Sequence, residues 1–329
     1  MIVPAYWAEA SVCVKAKRRK MTVRRFGWSD LNQQDAQANA EARASEALQR
    51  IQSGEKLLRR EPKVAYNGAE GVPIREEIIG RHRDVVITRN LYGARCLNTP
   101  NVLFADIDFP VKTQFARTLV WFAIHVLMLV AGWWALRSFE RSGPGVFLAI
   151  VVPQILLVIV RKLVFKPAAP AYDDMEKSTL LRLRDFVQAH PQWNLRAYRT
   201  PAGIRVLVMH RVFDPGEPEV AECFNAWGVD PLYAKMCTRQ KCFRARVSAK
   251  PWRIGIAKHI RPQPGIWPVK PEQIPLRKAW VEEYEKVAQG YGACRFLEAI
   301  GNGQLVPETY AVQTIHDELC RATRAVPLG

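Results

Sequence analysis

Two aspartates separated by one residue end an apolar stretch of the chain, NVLFADIDF at 101–109. Because side chains on a strand alternate between its faces, Asp106 and Asp108 should emerge on the same side, about 7 Å apart. Two such carboxylates could hold a divalent cation such as Mg²⁺ or Mn²⁺, which prefers oxygen ligands. The alternative interpretation is that they are simply the first solvated residues of a turn.

A turn that could bind phosphate follows in the segment YRTPAGIRVLV at 198–208. Thr200 and Gly203 fall in the tight turn, and Arg205 lies on the apolar strand that follows. Backbone N–H groups of such a turn and a guanidinium can bind phosphate together. The alternative is an ordinary hairpin turn with one exposed arginine.

A basic and aromatic tract extends from Pro231 to Pro271, with ten lysines or arginines and no acid. Asp230 directly precedes it and supplies a third candidate acid. Cations interleaved with aromatic rings are typical of surfaces that bind phosphates and stack bases. We expect nucleotide contacts from Arg244, Arg246, Ser248 and Lys250, and nucleic-acid contacts from Lys241, Trp252 and Arg253. A surface facing acidic lipid is the alternative.

Two stretches without a formal charge, 118–136 and 142–160, are each close to the roughly 20 residues that cross a bilayer core. Basic residues flank the pair on both outer sides, which predicts that both termini and the main domain lie in the cytoplasm. The expected result is a transmembrane helical hairpin in the inner membrane. The alternative is a buried helix pair of a soluble core.

Composition limits the kind of partner and the cellular environment that the chain can have. The chain has 329 residues, 49% of them hydrophobic, and a formal net charge of +17, which favours an anionic partner such as nucleic acid or acidic lipid. Seven cysteines without a C-x-x-C pair indicate reduced thiols, and the basic, mixed N-terminus does not predict a secretory signal. His210, His259 and His316 are isolated in the sequence, and we expect them to be structural.

Periodicity and turn residues predict an α+β protein. Two β-like stretches at 5–28 precede a helix at 29–54, and further strands and helices lie on both sides of the hairpin. Because insertions into loops cost little when their ends stay close, we expect one α+β domain in two halves, interrupted by the hairpin. The predicted parts are 1–110 and 167–260 for the halves, 111–166 for the hairpin, and 261–329 for a Pro-rich and then helical region.

This order of motifs resembles the catalytic core of the archaeo-eukaryotic primase superfamily, the primase-polymerases, over residues 101–110 and 178–255. In that family a strand ends in Asp-x-Asp, a turn of the form Ser-x-Gly-x-His follows a helix, and a later acid precedes an Arg-x-x-x-Ser element. The resemblance implies that Asp106 and Asp108 are metal ligands, that Asp230 is the third catalytic acid, and that TPAGIR and FRARVSAK contact the nucleotide. Arg205 stands where the family has histidine.

The strand VLFADID also resembles the metal-binding strand of class III nucleotide cyclases, although the chain continues FPVKT in place of their Gly-Phe-Thr turn. Both resemblances imply a ferredoxin/RRM-like palm in which paired acids hold two metal ions that align a hydroxyl with a nucleotide α-phosphate. The sequence contains no P-loop, H-E-x-x-H or G-x-S-x-G motif.

The expected function is therefore a membrane-anchored, metal-dependent, nucleotidyltransferase-like protein that handles nucleotides or nucleic acid. Two alternatives remain open at this point. The first is a relative that binds nucleic acid without catalysis. The second is a membrane protein whose basic face binds lipid or a partner protein.

Overall fold

The computed structural model describes residues 3–16, 19–61, 73–109, 124–130, 133–134, 155 and 172–329. These residues form a mixed α+β structure, in which the described strands make one two-stranded and two four-stranded sheets. The chain divides into two compact units, one formed by 1–108 with 178–329 and the other by 109–177.

The first sheet is a hairpin of two 11-residue strands, β1 (Tyr6–Ala16) and β2 (Arg19–Ser29), packed against helix α1 (Gln33–Gln52). Asn32 caps the helix by accepting a hydrogen bond from the Asp35 N–H, so the predicted start at Ser29 was three residues early. Alanines at every fourth position of α1 face the sheet, and a Cβ on Gly27 would lie 2.1 Å from the Ala40 nitrogen. Small residues thus permit this close approach.

The second sheet has the order β3 (Glu77–His82), β4 (Val85–Arg89), β5 (Arg95–Thr99) and β9 (Phe243–Arg246). All three strand pairs are antiparallel. The pairing of β5 with β9 joins segments that are far apart in the sequence. It fixes an interior part of the basic tract beside the first hundred residues.

The third sheet has the order β10 (Arg295–Ile300), β7 (Leu195–Arg199), β8 (Gly203–Val208) and β6 (Phe104–Asp108), again with antiparallel pairs. The apolar composition of β6 predicts a central strand, but among the described strands it lies at the end of its sheet. Its burial has another cause, because β6 also contacts β9 of the second sheet. A ferredoxin-like palm would place its first strand inside the sheet, so the described strand order differs from the predicted palm.

Among the described residues, five further helices of at least ten residues follow β6 in the chain. Four of them carry proline at the first or second position, where the missing N–H removes no helical hydrogen bond. The helices are α2 (Tyr172–Ala189), α3 (Pro218–Trp227), α4 (Pro231–Gln240), α5 (Ile274–Ala288) and α6 (Pro307–Cys320). The region 261–329 contains strand β10 in addition to the predicted helices.

No helix within the described ranges is long and apolar enough to cross a membrane. Of the two predicted spans, the structure describes 124–130, 133–134 and 155, and the rest lies outside the described residues. Because no described helix could cross a membrane, three predictions are wrong: the inserted transmembrane hairpin, the membrane partner and the inner-membrane location.

Candidate metal and nucleotide site

The three predicted acids come together where β6 ends. The backbone N–H of Asp230 donates to the carbonyl oxygen of Asp106 at 3.2 Å, and the Asp230 side chain caps α4 by accepting from the Leu232 N–H at 3.1 Å. Although Asp108 is an exposed residue, partial desolvation of its carboxylate, followed by the charges of Asp106 and Asp230, raises the pKa of Asp108. The three carboxylates therefore interact.

Asp106 is held by Arg205, its register partner on β8. Arg205 Nε lies 2.7 Å from Asp106 Oδ1, and Arg205 Nη2 lies 3.1 Å from Oδ2. The third guanidinium nitrogen, Nη1, donates to the Arg246 carbonyl at 2.8 Å. Although burial alone would lower it, the Asp106 carboxylate holds the pKa of Arg205 well above its usual value. With only 2% of its side chain exposed, Arg205 does not present its guanidinium to a phosphate in solvent.

The predicted phosphate-binding turn is closed by its own side chain. The Thr200 hydroxyl accepts hydrogen bonds from the N–H groups of Ala202 and Gly203 at 3.2 and 3.0 Å. Gly203 pairs with Asp108 across the sheet, and a Cβ at this position would lie 2.0 Å from the Ile107 carbonyl oxygen. A glycine is thus required for β6 and β8 to approach, and the turn sits next to the acids.

Two other predicted nucleotide ligands belong to a buried network. Arg244 Nη2 lies 2.7 Å from each carboxylate oxygen of Glu76, and Arg244 Nη1 donates to Asn98. The Ser248 hydroxyl accepts from the Arg95 N–H at 2.7 Å. These contacts join β9 and the residues after it to β5 and to Glu76, which directly precedes β3, and they give both residues structural roles.

Cations lie beside the acids at the end of β9 and on the segment that follows it. Burial, and then the charges of Arg246 and Arg253, lower the pKa of Lys250, whereas Asp108 and Asp106 act in the opposite direction. Lys250 and Arg253 in turn oppose the rise in the pKa of Asp108. Arg246 Nη1 donates to the Ser248 carbonyl at 2.6 Å. The acids of β6 and these three cations therefore form one electrostatic cluster, with an acidic and a basic side.

An exposed aromatic ring lies next to this cluster. The Trp252 side chain is 48% exposed, and its ring packs edge-on against Tyr92 at a centroid distance of 5.1 Å. The Lys250 Nζ atom lies 5.5 Å from the centroid of the Trp252 ring. Such a ring next to a cation can stack on a base whose phosphate the cation binds. Lys241, the third predicted nucleic-acid contact, is exposed at the C-terminal end of α4.

Sequence reasoning missed a cluster of buried thiol and imidazole groups. Cys294, His316 and Cys320 are buried, and the possible ligand atoms of all three lie within 4.8 Å of one another. His316 had been expected to be structural. The spacing of His316 and Cys320 was an available signal, because residues four apart on a helix share one face. The position of Cys294 had no such local signal.

No protein family model, curated protein or solved structure matches the chain. The resemblance to primase-polymerases, and the rival resemblance to nucleotide cyclases, therefore stay predictions based on the residues that carry them.

Proposed function

We propose that the chain binds a divalent metal ion together with a nucleotide or single-stranded nucleic acid at the end of β6, and that it catalyses nucleotidyl transfer there. One observation carries the proposal: Asp106, Asp108 and Asp230 interact at a single place, with Lys250 and Arg253 beside them. The fold brings three acids and two cations together from distant parts of the sequence. Because like charges at close range destabilise a fold, this arrangement supports a function that uses them.

The three acids would have different roles in metal binding. Arg205 engages both oxygens of Asp106, so we assign the leading metal contacts to Asp108 and Asp230 and an anchoring role to Asp106. A bound Mg²⁺ or Mn²⁺ would relieve the repulsion between the carboxylates. Lys250 and Arg253 would bind the phosphates on the basic side, and Trp252 would stack on a base.

The proposed chemistry is attack of a hydroxyl oxygen on the α-phosphorus of a nucleoside triphosphate. The new P–O bond forms as the bond to the β-phosphate bridging oxygen breaks, pyrophosphate leaves, and the hydroxyl proton passes to solvent water. A bound metal ion would neutralise phosphate charge and align the attacking hydroxyl oxygen with the leaving bridging oxygen. Lys250 and Arg253 hold the leaving phosphates and stabilise their charge.

Binding without catalysis is the second candidate function. The observation that favours it is the Arg205–Asp106 contact, which neutralises one acid of the pair and places an arginine where primase-polymerases have histidine. An arginine cannot exchange a proton near neutral pH as an imidazole can. Metal and nucleotide would then bind, but no transfer would follow.

Thermal unfolding with Mn²⁺ and a nucleoside triphosphate tests both candidates. A ligand that binds only the folded state stabilises it by about 2.7 kcal/mol at a hundredfold excess over Kd, so Tm should rise. Asp230→Asn should remove the Mn²⁺ response while keeping the fold, since asparagine caps helices as well as aspartate does. Asp185→Asn, at an exposed position of α2, is the matched control and should respond like the wild type.

Transfer is measured with a triphosphate labelled at its α-phosphate and a single-stranded oligonucleotide with a free 3′-hydroxyl. Metal-dependent incorporation that is lost in Asp230→Asn supports nucleotidyl transfer. Metal and nucleotide binding without incorporation selects the second candidate. An equal Mn²⁺ response in wild type, Asp230→Asn and Asp185→Asn would refute both.

A further inference from the structure

We propose that Cys294, His316 and Cys320 form a Zn²⁺ site, separate from the carboxylate site on β6. Cys294 lies directly before β10, and the other two residues lie one turn apart on α6. Their possible ligand atoms all fall within 4.8 Å of one another, and all three residues are buried. The site would fasten the last helix to the edge strand of the third sheet.

The spacing of the ligand atoms fits a tetrahedral ion. Zinc bonds of about 2.3 Å to sulfur and 2.0 Å to nitrogen place these two atoms roughly 3.5 Å apart. The distance between Cys294 Sγ and His316 Nε2 is 3.8 Å. Three protein ligands of this kind need only small side-chain movements to bind zinc, and a water molecule can complete the fourth position.

The imidazole is already oriented as a metal ligand requires. His316 Nδ1 lies 2.9 Å from Asp317 Oδ1, which assigns the proton to Nδ1 and leaves Nε2, 3.8 Å from Cys294 Sγ, as the metal-binding nitrogen. The other oxygen of Asp317 accepts hydrogen bonds from Arg196 and Gln313, each at 3.1 Å. A carboxylate fixed in this way behind a histidine is the usual support of a zinc-bound imidazole.

The donor set selects the kind of metal. Two sulfurs and one imidazole nitrogen suit zinc, whereas Mg²⁺ and Mn²⁺ prefer oxygen ligands. On binding, each cysteine forms an S–Zn bond and releases its thiol proton, so two protons leave for each ion bound. The two thiolates then balance the charge of Zn²⁺, which leaves the buried site neutral.

This site would lie directly behind the anchored acid on β6. Arg205 Nη1 is 3.4 Å from His316 Nε2, while Nε and Nη2 of the same guanidinium hold Asp106. Phe104 and Tyr198 also pack against the His316 ring, at centroid distances of 5.1 and 4.8 Å. Bound zinc would thus hold His316 in place beside the Arg205 guanidinium.

Metal analysis of the full chain, purified with a thiol reductant, tests the proposal. We expect about one zinc per chain in the wild type. Cys320→Ser should lose it, and Asp317→Asn should weaken affinity by about 10- to 100-fold. Cys223→Ser is the control, because this buried cysteine of α3 donates only to the Val220 carbonyl, a bond that serine can keep.

A second measurement on the wild type covers variants that fail to fold. Replacing zinc with Co²⁺ should give thiolate-to-cobalt charge-transfer absorption and visible bands of tetrahedral cobalt. The sample must be folded and must have all seven thiols titratable. If it then contains less than stoichiometric zinc and shows no cobalt bands, the proposal is overturned. A Cys294–Cys320 disulfide that persists under reductant would also overturn it. Neither readout involves nucleotide, so the result is independent of the function proposed above.

Discussion

Arg205 holds both carboxylate oxygens of Asp106 across the β6–β8 register, at 2.7 and 3.1 Å. The Arg205 side chain is 2% exposed and the Asp106 side chain is 29% exposed. A buried cation of this kind is tolerable only while its counter-charge is present, because desolvation of an unpaired charge is expensive. Asp106 is therefore a structural residue in addition to its proposed place in the site.

The first prediction follows from this contact. Asp106→Ala should lower the free energy of unfolding by about 3 kcal/mol, because it leaves the Arg205 charge buried and unpaired. Replacing the pair together, as Asp106→Leu with Arg205→Met, should recover most of the loss. Chemical denaturation of Asp106→Leu, Arg205→Met and the double variant gives the coupling energy. Additive losses would show that the two side chains do not depend on each other.

The second prediction concerns the buried Glu76–Arg244 pair. The Glu76 side chain is 1% exposed, and both of its oxygens lie 2.7 Å from Arg244 Nη2. Arg244→Lys should destabilise the fold by about 3 kcal/mol, because an ammonium group cannot reproduce the contacts to Glu76 and Asn98. Nucleotide affinity, measured by titration at a temperature where the variant is folded, should not change. A stable variant with weak nucleotide binding would show that Arg244 contacts the nucleotide, as the sequence predicts.

The third prediction concerns Trp252. If its exposed ring stacks on a base, Trp252→Ala should weaken binding of a single-stranded oligonucleotide by about 1–3 kcal/mol. Fluorescence anisotropy across a range of salt concentrations measures the affinity. Affinity should also fall steeply with salt, because phosphate contacts release counterions. Tyr310→Ala, another exposed aromatic position, is the control. Equal affinities of the two variants would exclude stacking on Trp252.

The local features of the site were predictable from sequence. An apolar run ending in Asp-x-Asp predicted strand β6, and strand alternation placed both acids on one side. The turn between β7 and β8 likewise follows from the nearby proline and glycine. These features depend on neighbours within a few residues, which a single sequence displays directly.

The contacts that define the roles of the arginines were not predictable in this way. Arg205 and Asp106 are 99 residues apart, and Arg244 and Glu76 are 168 residues apart. Such pairs depend on strand order and register, which a residue pattern does not encode locally. The transmembrane prediction was based on hydropathy, which measures how apolar a stretch is, and no helix in the described part of the chain is long and apolar enough to cross a membrane.

The fourth prediction concerns acid stability and His210. The ring packs against Trp193 and Phe213, at centroid distances of 4.6 and 5.6 Å. Burial, and then the charge of Arg211, lower the pKa of His210 to about 4 from 6.5. Between these pH values the unfolded chain binds the proton more readily, so the free energy of unfolding falls as the pH drops.

Denaturation at several pH values between 7 and 4 checks this effect. His210→Asn should lose less stability over that interval than the wild type, because it removes the group that takes up the proton on unfolding. His190→Asn, at an exposed position, should follow the wild type. Parallel pH profiles for all three proteins would rule out a contribution from His210.

The last prediction separates two aspartates that sit one residue apart. Asp106 has a buried cationic partner, whereas Asp108 is an exposed residue that carries repulsion from Asp106 and Asp230. Without metal, Asp108→Asn should therefore leave stability unchanged or raise it slightly, within about 0.5 kcal/mol, because it removes one of three like charges at an exposed position. Asp106→Asn should have the opposite sign, since it leaves Arg205 without its counter-charge.

Mn²⁺ should reverse the order of wild type and Asp108→Asn. A metal ion that needs Asp108 as a ligand stabilises the wild type by RT ln(1 + [L]/Kd) and leaves Asp108→Asn nearly unaffected, so the wild type becomes the more stable protein above the Kd. Melting curves of both proteins in a titration of Mn²⁺, with Asp185→Asn as the control, measure the crossing. If Asp108 is only a solvated turn residue, the two curves shift in parallel and never cross.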